Sequence, residues 1–547
     1  MTSDHSADRL AADAFLQAEK YLSAMEIYNR LISLNPRDAQ AWVGVGMVMV
    51  RTLQWAQAAE TFRFVLEELK ADNDMALFGQ SVALFHLGQT DASAQAVERA
   101  CERAPRDWRI HQWRAYVQAT RNPDPLHIRT LYEDWGRRFA DPLTAQAKPL
   151  PALTPARRDA TRRLKIGYVS GDLRQHSIAF FMEPVLAHHD ARQVDVHVYS
   201  TGQRDTFTER IAKLVPHWFD VADLSDADLC HLIRSHEIDV LVDLSGHTVG
   251  HRLFTFARRA APVQVTWLGF MYTLGMQAMD YRFTDGGVSP PGSEVGFTER
   301  LFHLACMSSY IPPPNTPEIG ELPQRMHGHP TLISLNNSKK VTDEMLLLWG
   351  EILAQRPTVQ LILMAQEIDQ DNAVQQMLPR LQRLGLPLDR VVISRQLPLD
   401  DFMTLGNLAD IALDTYPISG GTTTLHALWM GLPVVALQGT EATSSATANT
   451  LQGLGYGEWV AQDRQTYLDK ALGLIDQPER LEAHRQSVRD RMRRSVVMDY
   501  AARTSELEHA YRLMWINHLL GSAHYLHSGH DLGLALQSLR TDERAAV

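Results

Sequence analysis

The apolar positions of the chain change their spacing near residue 164. Before that point, small and apolar residues recur with the period of helices that bury one face. After it, short apolar runs alternate with helix-like segments, a pattern that predicts sheets of parallel strands flanked by helices. We therefore expect an all-helical region followed by α/β domains, a fold of the class α + α/β.

The helical region repeats itself at a spacing of 34 or 35 residues, at which the small residues Ala24, Ala58 and Ser93 recur. A more bulky apolar residue follows each of them four positions later, and Pro36 and Pro105 keep the same period. This pattern resembles the tetratricopeptide repeat, in which a small residue lets paired helices cross closely and a proline ends the second helix. Such repeats offer a concave surface to a protein or peptide. The alternative is a helical cap that only stabilises the α/β domains.

Nine apolar runs after the helical region predict strands. They are Lys165–Ser170, Val194–Tyr199, Asp239–Leu244, Val263–Trp267, Thr331–Leu335, Val359–Met364, Arg390–Ser394, Ile411–Leu413 and Pro433–Leu437. We predict two Rossmann-like lobes that face a cleft, since ligands of parallel sheets lie beyond the carboxyl ends of the strands. The predicted domains are the repeats and the helices after them (1–140), a linker (141–163), the first lobe (164–310), a second linker (311–330), the second lobe (331–478) and carboxy-terminal helices (479–547).

The composition narrows the possible classes of function. Hydrophobic residues make up 45% of the chain and charged residues 21%, which is typical of a soluble globular protein. The 53 basic and 64 acidic residues give a net charge of −11 without long runs of one sign, which argues against a general nucleic-acid-binding protein.

Three cysteines lie far apart at Cys101, Cys230 and Cys306, so neither a disulfide framework nor a thiolate zinc site is indicated. The amino-terminal sequence MTSDHSADRLAAD is acidic and polar and is unlike a signal peptide. No stretch has the length of a membrane span. These features predict a reducing, cytoplasmic setting without a membrane partner.

Gly420 and Gly421 stand directly before Thr422 and Thr423, where a predicted strand gives way to a helix. The start of a helix has free backbone N–H groups and the positive end of the helix dipole, so it favours an anion. Two glycines let a phosphate approach the backbone closely, and the threonine hydroxyls add donors. The alternative is an ordinary turn in which threonine caps the helix.

Three further residues come after predicted strands and can carry chemistry. His176 and His247 stand in strand-end loops of the first lobe, where a histidine can accept a proton or donate a hydrogen bond, although most histidines are structural. Lys340, in the turn NNSKK of the second lobe, can neutralise a departing phosphate, or it can be a solvated surface lysine. No histidine and aspartate cluster with metal-ligand spacing stands out at a strand end, so we expect no metal site.

Four segments make a family resemblance specific: KIGYVSGDLRQH, APVQVTWLGF, NNSKK before LLLWGEIL, and LADIALDTYPISGGTTTLHALWMGLPVV. Tetratricopeptide repeats followed by these segments resemble the O-linked N-acetylglucosamine (O-GlcNAc) transferases over essentially the whole chain. The resemblance implies a glycosyltransferase-B fold with UDP-N-acetylglucosamine as the donor. It also implies inversion at the anomeric carbon and transfer to Ser/Thr hydroxyls of proteins, without a metal or other cofactor.

The resemblance also implies roles for individual residues. His176 matches a histidine considered as a base or as an acceptor-side contact, and Lys340 matches the lysine on the donor diphosphate. Asn337 lies at a polar position of the donor site. Thr422 and Thr423 match the threonine pair on the phosphates.

Several positions depart from the animal enzymes around the nucleoside. Gly421 stands in place of a histidine before the threonine pair, and His426 in place of the acid that holds the ribose. In the segment LPLDDF, where we count Leu397 among the expected donor contacts, Leu399 and Phe402 replace the lysine and histidine around the uracil. The diphosphate-binding residues are kept while the nucleoside pocket is altered.

The sequence therefore favours a metal-independent, inverting transferase that moves N-acetylglucosamine from UDP to protein hydroxyls. One alternative is the transfer of another hexose or deoxyhexose from UDP or GDP to protein. A second is a non-catalytic repeat scaffold that binds nucleotides, which the altered nucleoside pocket favours. Lys340 and the two threonines favour activity.

Overall fold

Helices fill the first third of the chain, and helices alternate with strands after it. The structure, a computed structural model, describes residues 6–367, 369–521, 526–527 and 529–545. In these ranges the helices are α1 Ser6–Gln17, α2 Tyr21–Leu34, α3 Ala39–Arg51, α4 Trp55–Glu67, α5 Asp74–His86, α6 Thr90–Arg103, α7 Trp108–Arg121, α8 Pro125–Trp135, α9 Asp141–Ala145, α10 Pro155–Arg158, α11 Ser177–His188, α12 Thr206–Ala212, α13 Asp226–Ser235, α14 Leu253–Ala257, α15 Pro323–His327, α16 Asp343–Gln355, α17 Gln370–Arg383, α18 Leu399–Phe402, α19 Thr422–Trp429, α20 Ala442–Gly453, α21 Arg464–Ile475, α22 Pro478–Arg493, α23 Tyr500–Leu520 and α24 Leu532–Ala545. The strands are β1 Leu164–Ser170, β2 Val194–Ser200, β3 His217–Asp220, β4 Val240–Asp243, β5 Val263–Thr266, β6 Tyr281–Asp285, β7 Arg300–Leu304, β8 Thr331–Ser334, β9 Gln360–Met364, β10 Val391–Ser394, β11 Ile411–Leu413, β12 Val434–Leu437 and β13 Val460–Ala461.

The described residues form two compact units, each built from several segments of the chain. The first unit combines the described parts of Met1–Pro123, Glu321–Ile418 and Arg464–Pro478. The second combines those of Asp124–Gly320, Ser419–Asp463 and Glu479–Val547. These units are groups of segments that pack together, whereas the domains expected from the sequence are consecutive stretches of chain. The boundaries of those domains stay a prediction.

Helices α1 to α7 of the first unit pack consecutively around the small residues of the repeat. Ala24, Ala58 and Ser93 are fully buried, as the repeat pattern predicts. The Phe62 ring of α4 shows how closely the helices approach. A Cβ atom added to Gly46 of α3 would lie 2.6 Å from this ring, and one added to Gly79 of α5 would overlap it. Helix α2 ends before Pro36 and α6 before Pro105, also as predicted.

The same unit contains four parallel strands in the order β10-β9-β8-β11. Strands β8 and β11 are buried along their whole length, because both are runs of apolar or small residues covered on both faces. Leu332 of β8 pairs with Ile411 of β11, so the two strands end at the same edge.

The second unit is built on a parallel sheet of seven strands in the order β3-β2-β1-β4-β5-β6-β7. Helix α23 covers this sheet with the fully buried side chains of Tyr511 and Trp515, and the Tyr511 hydroxyl lies 3.0 Å from that of Tyr168 in β1. The short parallel pair β12 and β13 also belongs to this unit. Parallel sheets and the helices after residue 478 therefore confirm the predicted α/β class.

The segment 141–163, predicted as a linker, contains α9 and α10 and is fixed to the second unit. Arg157 and Arg162 each place a guanidinium nitrogen 2.7 Å from a carboxylate oxygen of Asp239, which is fully buried. Two cations compensate the charge of the buried carboxylate, and the segment is held by this pairing.

All nine predicted strands are present, but the apolar pattern missed β3, β6, β7 and β13. Strand β3 has the sequence HWFD, is partly exposed, and contains no β-branched residue. Strand β6 carries the buried Arg282 between two aromatic residues, which interrupts an apolar run. None of the described helices is both long enough and apolar enough to span a membrane.

We expect Gly79→Ala to lower the melting temperature of the protein, because the new methyl group would overlap the Phe62 ring and force α4 and α5 apart. Overpacking of this kind costs about 1–3 kcal/mol. Gly473→Ala in α21 is the matched control, since its Cβ would meet no atom within 4 Å and alanine favours a helix by roughly 1 kcal/mol. Thermal unfolding of both variants checks this. A stable Gly79→Ala variant would contradict the proposed close crossing of α4 and α5.

Candidate active site

The turn that contains Lys340 begins where strand β8 leaves the core of the first unit. After the buried strand the chain turns at Asn337, whose Oδ1 accepts a hydrogen bond of 3.1 Å from the Lys339 N–H and caps a short 3₁₀ turn, Ser338–Lys340. Lys339 and Lys340 are half-buried. The structure therefore brings the predicted residues Asn337 and Lys340 together, and it does not leave these lysines fully exposed.

A buried carboxylate lies behind this turn, and the sequence pattern did not identify it as part of the site. Asp414 follows β11, and its Oδ1 accepts a hydrogen bond of 2.8 Å from Asn336 Nδ2. Both side chains are buried. Tyr467 donates to the Asp414 carbonyl at 3.1 Å and accepts from the Trp349 N–H at 3.2 Å. Since β8 and β11 are neighbours, Asn336 and Asp414 are placed together by the sheet.

Burial and this carboxylate act in opposite directions on Lys340. Removal of the ammonium group from water lowers the pKa of Lys340 to about 8, although the charge of Asp414 raises this pKa; the neighbouring Lys339 lowers it further. The side chain is therefore mostly protonated at neutral pH and titrates only slightly above it. A lysine of this kind can stabilise negative charge that develops on a phosphate.

The helical repeats contact the lysine turn within the first unit. The His86 ring of α5 stacks on Trp55 with a centroid distance of 3.8 Å, and its Nδ1 lies 2.9 Å from Gln366 Oε1. Burial, reinforced by the charge of Lys339, lowers the pKa of His86 to about 4. This histidine is therefore neutral at physiological pH and belongs to the support of the turn. Leu397, also predicted to contact the donor, is half-buried in the loop between β10 and α18.

In the second unit, helix α20 holds the glycine turn before α19. The Ser419 N–H donates to the Thr443 carbonyl at 2.8 Å, and the Thr447 hydroxyl donates to the Gly420 carbonyl at 3.1 Å. The Thr447 hydroxyl also lies 2.7 Å from that of Thr424. These contacts fix the backbone that leads into the helix.

The space in front of this helix is open. A Cβ atom added to Gly421 would meet no atom within 4 Å, and Thr422 and Thr423 are only half-buried. The first N–H groups of a helix have no partner within the helix, and they carry its positive partial charge. The turn Gly420–Thr423 therefore leads into a helix start with room for a ligand, and binding of an anion there stays a prediction.

His176 caps helix α11 at the end of the loop that comes after β1. Its Nδ1 accepts a hydrogen bond of 3.3 Å from the Ile178 N–H, so the proton of the neutral ring is on Nε2. The side chain is 43% exposed, and Asp172 Oδ1 lies 3.9 Å from Nδ1. Desolvation lowers the pKa of His176, with Asp172 opposing and Arg174 reinforcing the shift. The ring therefore presents an N–H donor to solvent.

His426 has an unexpected environment. It is buried in α19, its Nδ1 lies 2.7 Å from the Tyr310 hydroxyl, and its ring meets the Phe180 ring of α11 edge-on at 5.1 Å. Burial lowers its pKa to about 3. Phe180 lies four residues after His176, and His426 lies four residues after Thr422. Helices α11 and α19 therefore contact each other through these two rings. A donor contact of His426 itself stays a prediction.

His247 is also buried, among aromatic rings that include Tyr132, Trp135 and Phe270. Its Nε2–H donates to the Leu274 carbonyl at 3.0 Å, and burial lowers its pKa to about 4 despite that hydrogen bond. These surroundings favour a packing role. A substrate contact of His247 stays a prediction.

A cavity of about 290 Å³ lies elsewhere in the second unit. Its lining is mainly apolar, with Met271, Val295 and Phe297, and it includes Tyr272 and Glu441. None of the predicted site residues is among the described residues that line it. The chemistry predicted for the lysine turn and for the helix start therefore lies outside this cavity and stays a prediction.

The repeats, the two parallel sheets and these strand-end sites define a class of protein: tetratricopeptide-repeat helices followed by α/β domains like those of the glycosyltransferase-B fold. Residues 147–311 and 331–507 match the family described as glycosyl transferase family 41, and residues 50–107 match a tetratricopeptide repeat. The chain belongs to glycosyl transferase family 41. The resemblance and fold class inferred from the sequence are confirmed.

Similar proteins include a solved structure and several plant relatives. The structure is a lysine-to-methionine mutant of the O-GlcNAc transferase of Thermobaculum terrenum, which is 36% identical, with a TM-score of 0.85 over 95% of this chain and 99% of that chain. A probable UDP-N-acetylglucosamine–peptide N-acetylglucosaminyltransferase, SPINDLY of Solanum lycopersicum, is 34% identical over 70% of this chain and 42% of its own length. SEC of Arabidopsis thaliana, with the same probable activity in its name, is 28% identical over 68% and 39%. The matched part thus spans about two-fifths of these plant relatives.

Proposed function

We propose that this protein is an inverting, metal-independent transferase that moves N-acetylglucosamine from UDP-N-acetylglucosamine to Ser/Thr hydroxyls of proteins. The observation that carries the proposal is the turn that contains the half-buried Lys340, behind which Asp414 and Asn336 are fixed. Glycosyl transfer needs a positive charge that is in place before the diphosphate departs, since a preorganised charge requires no rearrangement as the bond breaks.

The helix start at Thr422 and Thr423 would bind the donor diphosphate. Half-buried hydroxyls, the N–H groups of the helix start and the helix dipole favour an anion, and the open space at Gly421 admits it. These groups would neutralise negative charge on a leaving diphosphate with protein dipoles and hydrogen bonds. That supports a mechanism without a metal or other cofactor.

His176 would donate a hydrogen bond to an oxygen of the bound substrates, and would not act as the base. Its Nδ1 is engaged by the Ile178 N–H, so the exposed Nε2 carries the proton and has no lone pair to accept another. The proton of the acceptor hydroxyl then passes to a donor phosphate oxygen or to a chain of water molecules. A partly exposed histidine in a loop after a strand suits this donor role.

The acceptor would be a protein or peptide recruited by the repeats. Support comes from the contact of α5 with the lysine turn, which links the repeat helices to the proposed catalytic lysine within one unit. We place the protein in the cytoplasm, because its cysteines are free thiols, which suits a reducing compartment.

A second candidate function is the transfer of another hexose or deoxyhexose from UDP or GDP to protein. The burial of His426 favours it. This residue stands where the resemblance places the acid that holds the ribose, but its ring is directed to Tyr310 and Phe180 inside the unit. This arrangement favours a nucleoside pocket that differs from the one the resemblance implies.

We expect Thr423→Val to weaken UDP binding by about tenfold or more and to leave uridine binding nearly unchanged. A lost hydrogen bond to a charged group costs about 1.5–3 kcal/mol, and uridine has no phosphate. Calorimetric titration of UDP, uridine and GDP checks this. Thr450→Val is the matched control, because its hydroxyl donates to its own helix at Ala446. Equal losses for UDP and uridine would contradict the phosphate site, and tighter binding of GDP than UDP would favour the second candidate.

We expect Lys340→Ala to lower the turnover of donor sugar by about a hundredfold or more, with a smaller change in donor affinity.

In the wild type, kcat/KM should fall as the pH rises through about 8, because the protonated lysine is the active form. Asp414→Asn removes a charge that raises this pKa and should move the fall to lower pH. Lys339→Ala removes a charge that lowers it and should move the fall to higher pH. UDP release measured across pH checks both, and shifts in the same direction would exclude Lys340 as the titrating group.

We expect His176→Asp to lower kcat/KM by about tenfold or more while α11 stays folded, because aspartate caps a helix but cannot donate. His176→Asn, which caps and also donates, should keep more of the activity. The acidic side of the pH profile should be the same in His176→Asn and the wild type, since protonation of His176 leaves its Nε2–H in place. An acidic fall below the usual histidine pKa that vanishes in His176→Asn would instead identify His176 as the base.

A further inference from the structure

Two neighbouring strands at one edge of the seven-stranded sheet bring together three side chains that bind metals in other proteins. Asp195 and His197 are two residues apart on β2 and so project from the same face of that strand. His217 opens the edge strand β3 and is the direct register partner of His197. One potential ligand atom from each of the three residues lies within 4.8 Å of the others.

The hydrogen bond of His197 leaves one nitrogen suited to a metal. Its Nδ1 lies 3.3 Å from the Asp195 carbonyl oxygen, so the Nδ1–H donates to it and the lone pair is on Nε2. Histidine ligands of metals usually donate their second N–H to a carbonyl or carboxylate in this way, which fixes both the tautomer and the ring. His197 is buried in the structure, so its position is fixed by packing.

The distance between the other two residues matches that of two ligands on one ion. His217 Nε2 lies 3.4 Å from Asp195 Oδ1. Nitrogen and oxygen ligands of zinc lie about 2.0–2.2 Å from the ion, which places two tetrahedral ligands about 3.4 Å apart. Arg163 donates to the same Asp195 oxygen at 2.8 Å and holds the carboxylate. A carboxylate oxygen has two lone pairs, so Asp195 Oδ1 can accept from this arginine and still bind an ion.

The His217 ring can complete the site by a small rotation. It stacks on His197 with a centroid distance of 4.3 Å, and its side chain is 42% exposed, so burial does not hold the ring in one orientation. Two imidazoles and one carboxylate suit Zn²⁺ among the divalent metals, and three protein ligands leave a fourth position for water.

We propose that Asp195, His197 and His217 form a binding site for a divalent transition-metal ion, with Zn²⁺ as the best match, that fastens the edge strand β3 to β2. Strand β3 is only four residues long and partly exposed, so an ion shared with β2 would restrain it. The site is separate from the proposed chemistry, because Asp195 lies near the amino end of its strand and His176 comes after the carboxyl end of β1. The sequence led us to expect no metal site, since β3 was not recognised and its histidine could not be placed beside His197.

The test uses the full chain with its affinity tag removed and its metals stripped by a chelator. We expect Zn²⁺ to raise the melting temperature by at least about 2 °C. His217→Ala and Asp195→Asn should each bind one zinc ion fewer than the wild type by calorimetry and lose this rise. His231→Ala, a variant of an exposed histidine on α13, should behave as the wild type does.

Cobalt gives a readout that does not depend on stability. Co²⁺ bound by two histidines and a carboxylate in a four-coordinate site gives visible absorption bands that aqueous Co²⁺ lacks, and these should be absent in His217→Ala. The stripped wild type should keep its transferase turnover, since the ion holds β3 and not the substrates. Equal zinc uptake and equal cobalt bands in the wild type and His217→Ala would overturn the proposal.

Discussion

Parallel strands that are covered on both faces leave little room for chemistry along their length. Strands β8 and β11 are buried throughout, so the first polar groups appear where the chain leaves each strand. Because the two strands are neighbours with a fixed register, Asn336 and Asp414 emerge side by side at one edge. The position of the lysine turn therefore follows from the burial and the register of β8 and β11. His176 likewise lies beyond the end of a buried strand, β1.

The properties of Lys340 come from a balance between burial and charge. Burial alone would favour a neutral amine, and the Asp414 carboxylate opposes that effect, so the pKa comes to about 8. Asn336 fixes the carboxylate, and Tyr467 fixes the backbone beside it. Removal of Asn336 or Tyr467 would leave a buried polar group of this network without its hydrogen bond, which costs stability. The stability of the first unit and its proposed chemistry therefore depend on the same residues.

The histidines show how far position in the sequence can be used to assign a role. His176, His247 and His426 all lie near strand ends or helix starts, but their environments differ. Only His176 presents a ring N–H to solvent, while the other two are buried and neutral, with pKa values of about 4 for His247 and about 3 for His426. His426 joins α19 to α11 through Phe180, so a residue that the resemblance places at the nucleoside also packs two helices together.

The sequence by itself determined the parts of the protein that depend on local patterns. The period of Ala24, Ala58 and Ser93 predicted the repeats, apolar runs predicted nine strands, and Gly420–Thr423 predicted the helix start. Each of these patterns reflects the burial or the backbone freedom of the residues that form it. Only the tertiary structure decided which distant residues meet: Asn336 with Asp414, His426 with Tyr310, and Asp195 and His197 with His217. Such pairs depend on the order and register of strands, and weak edge strands such as β3 have no apolar run from which that order can be read.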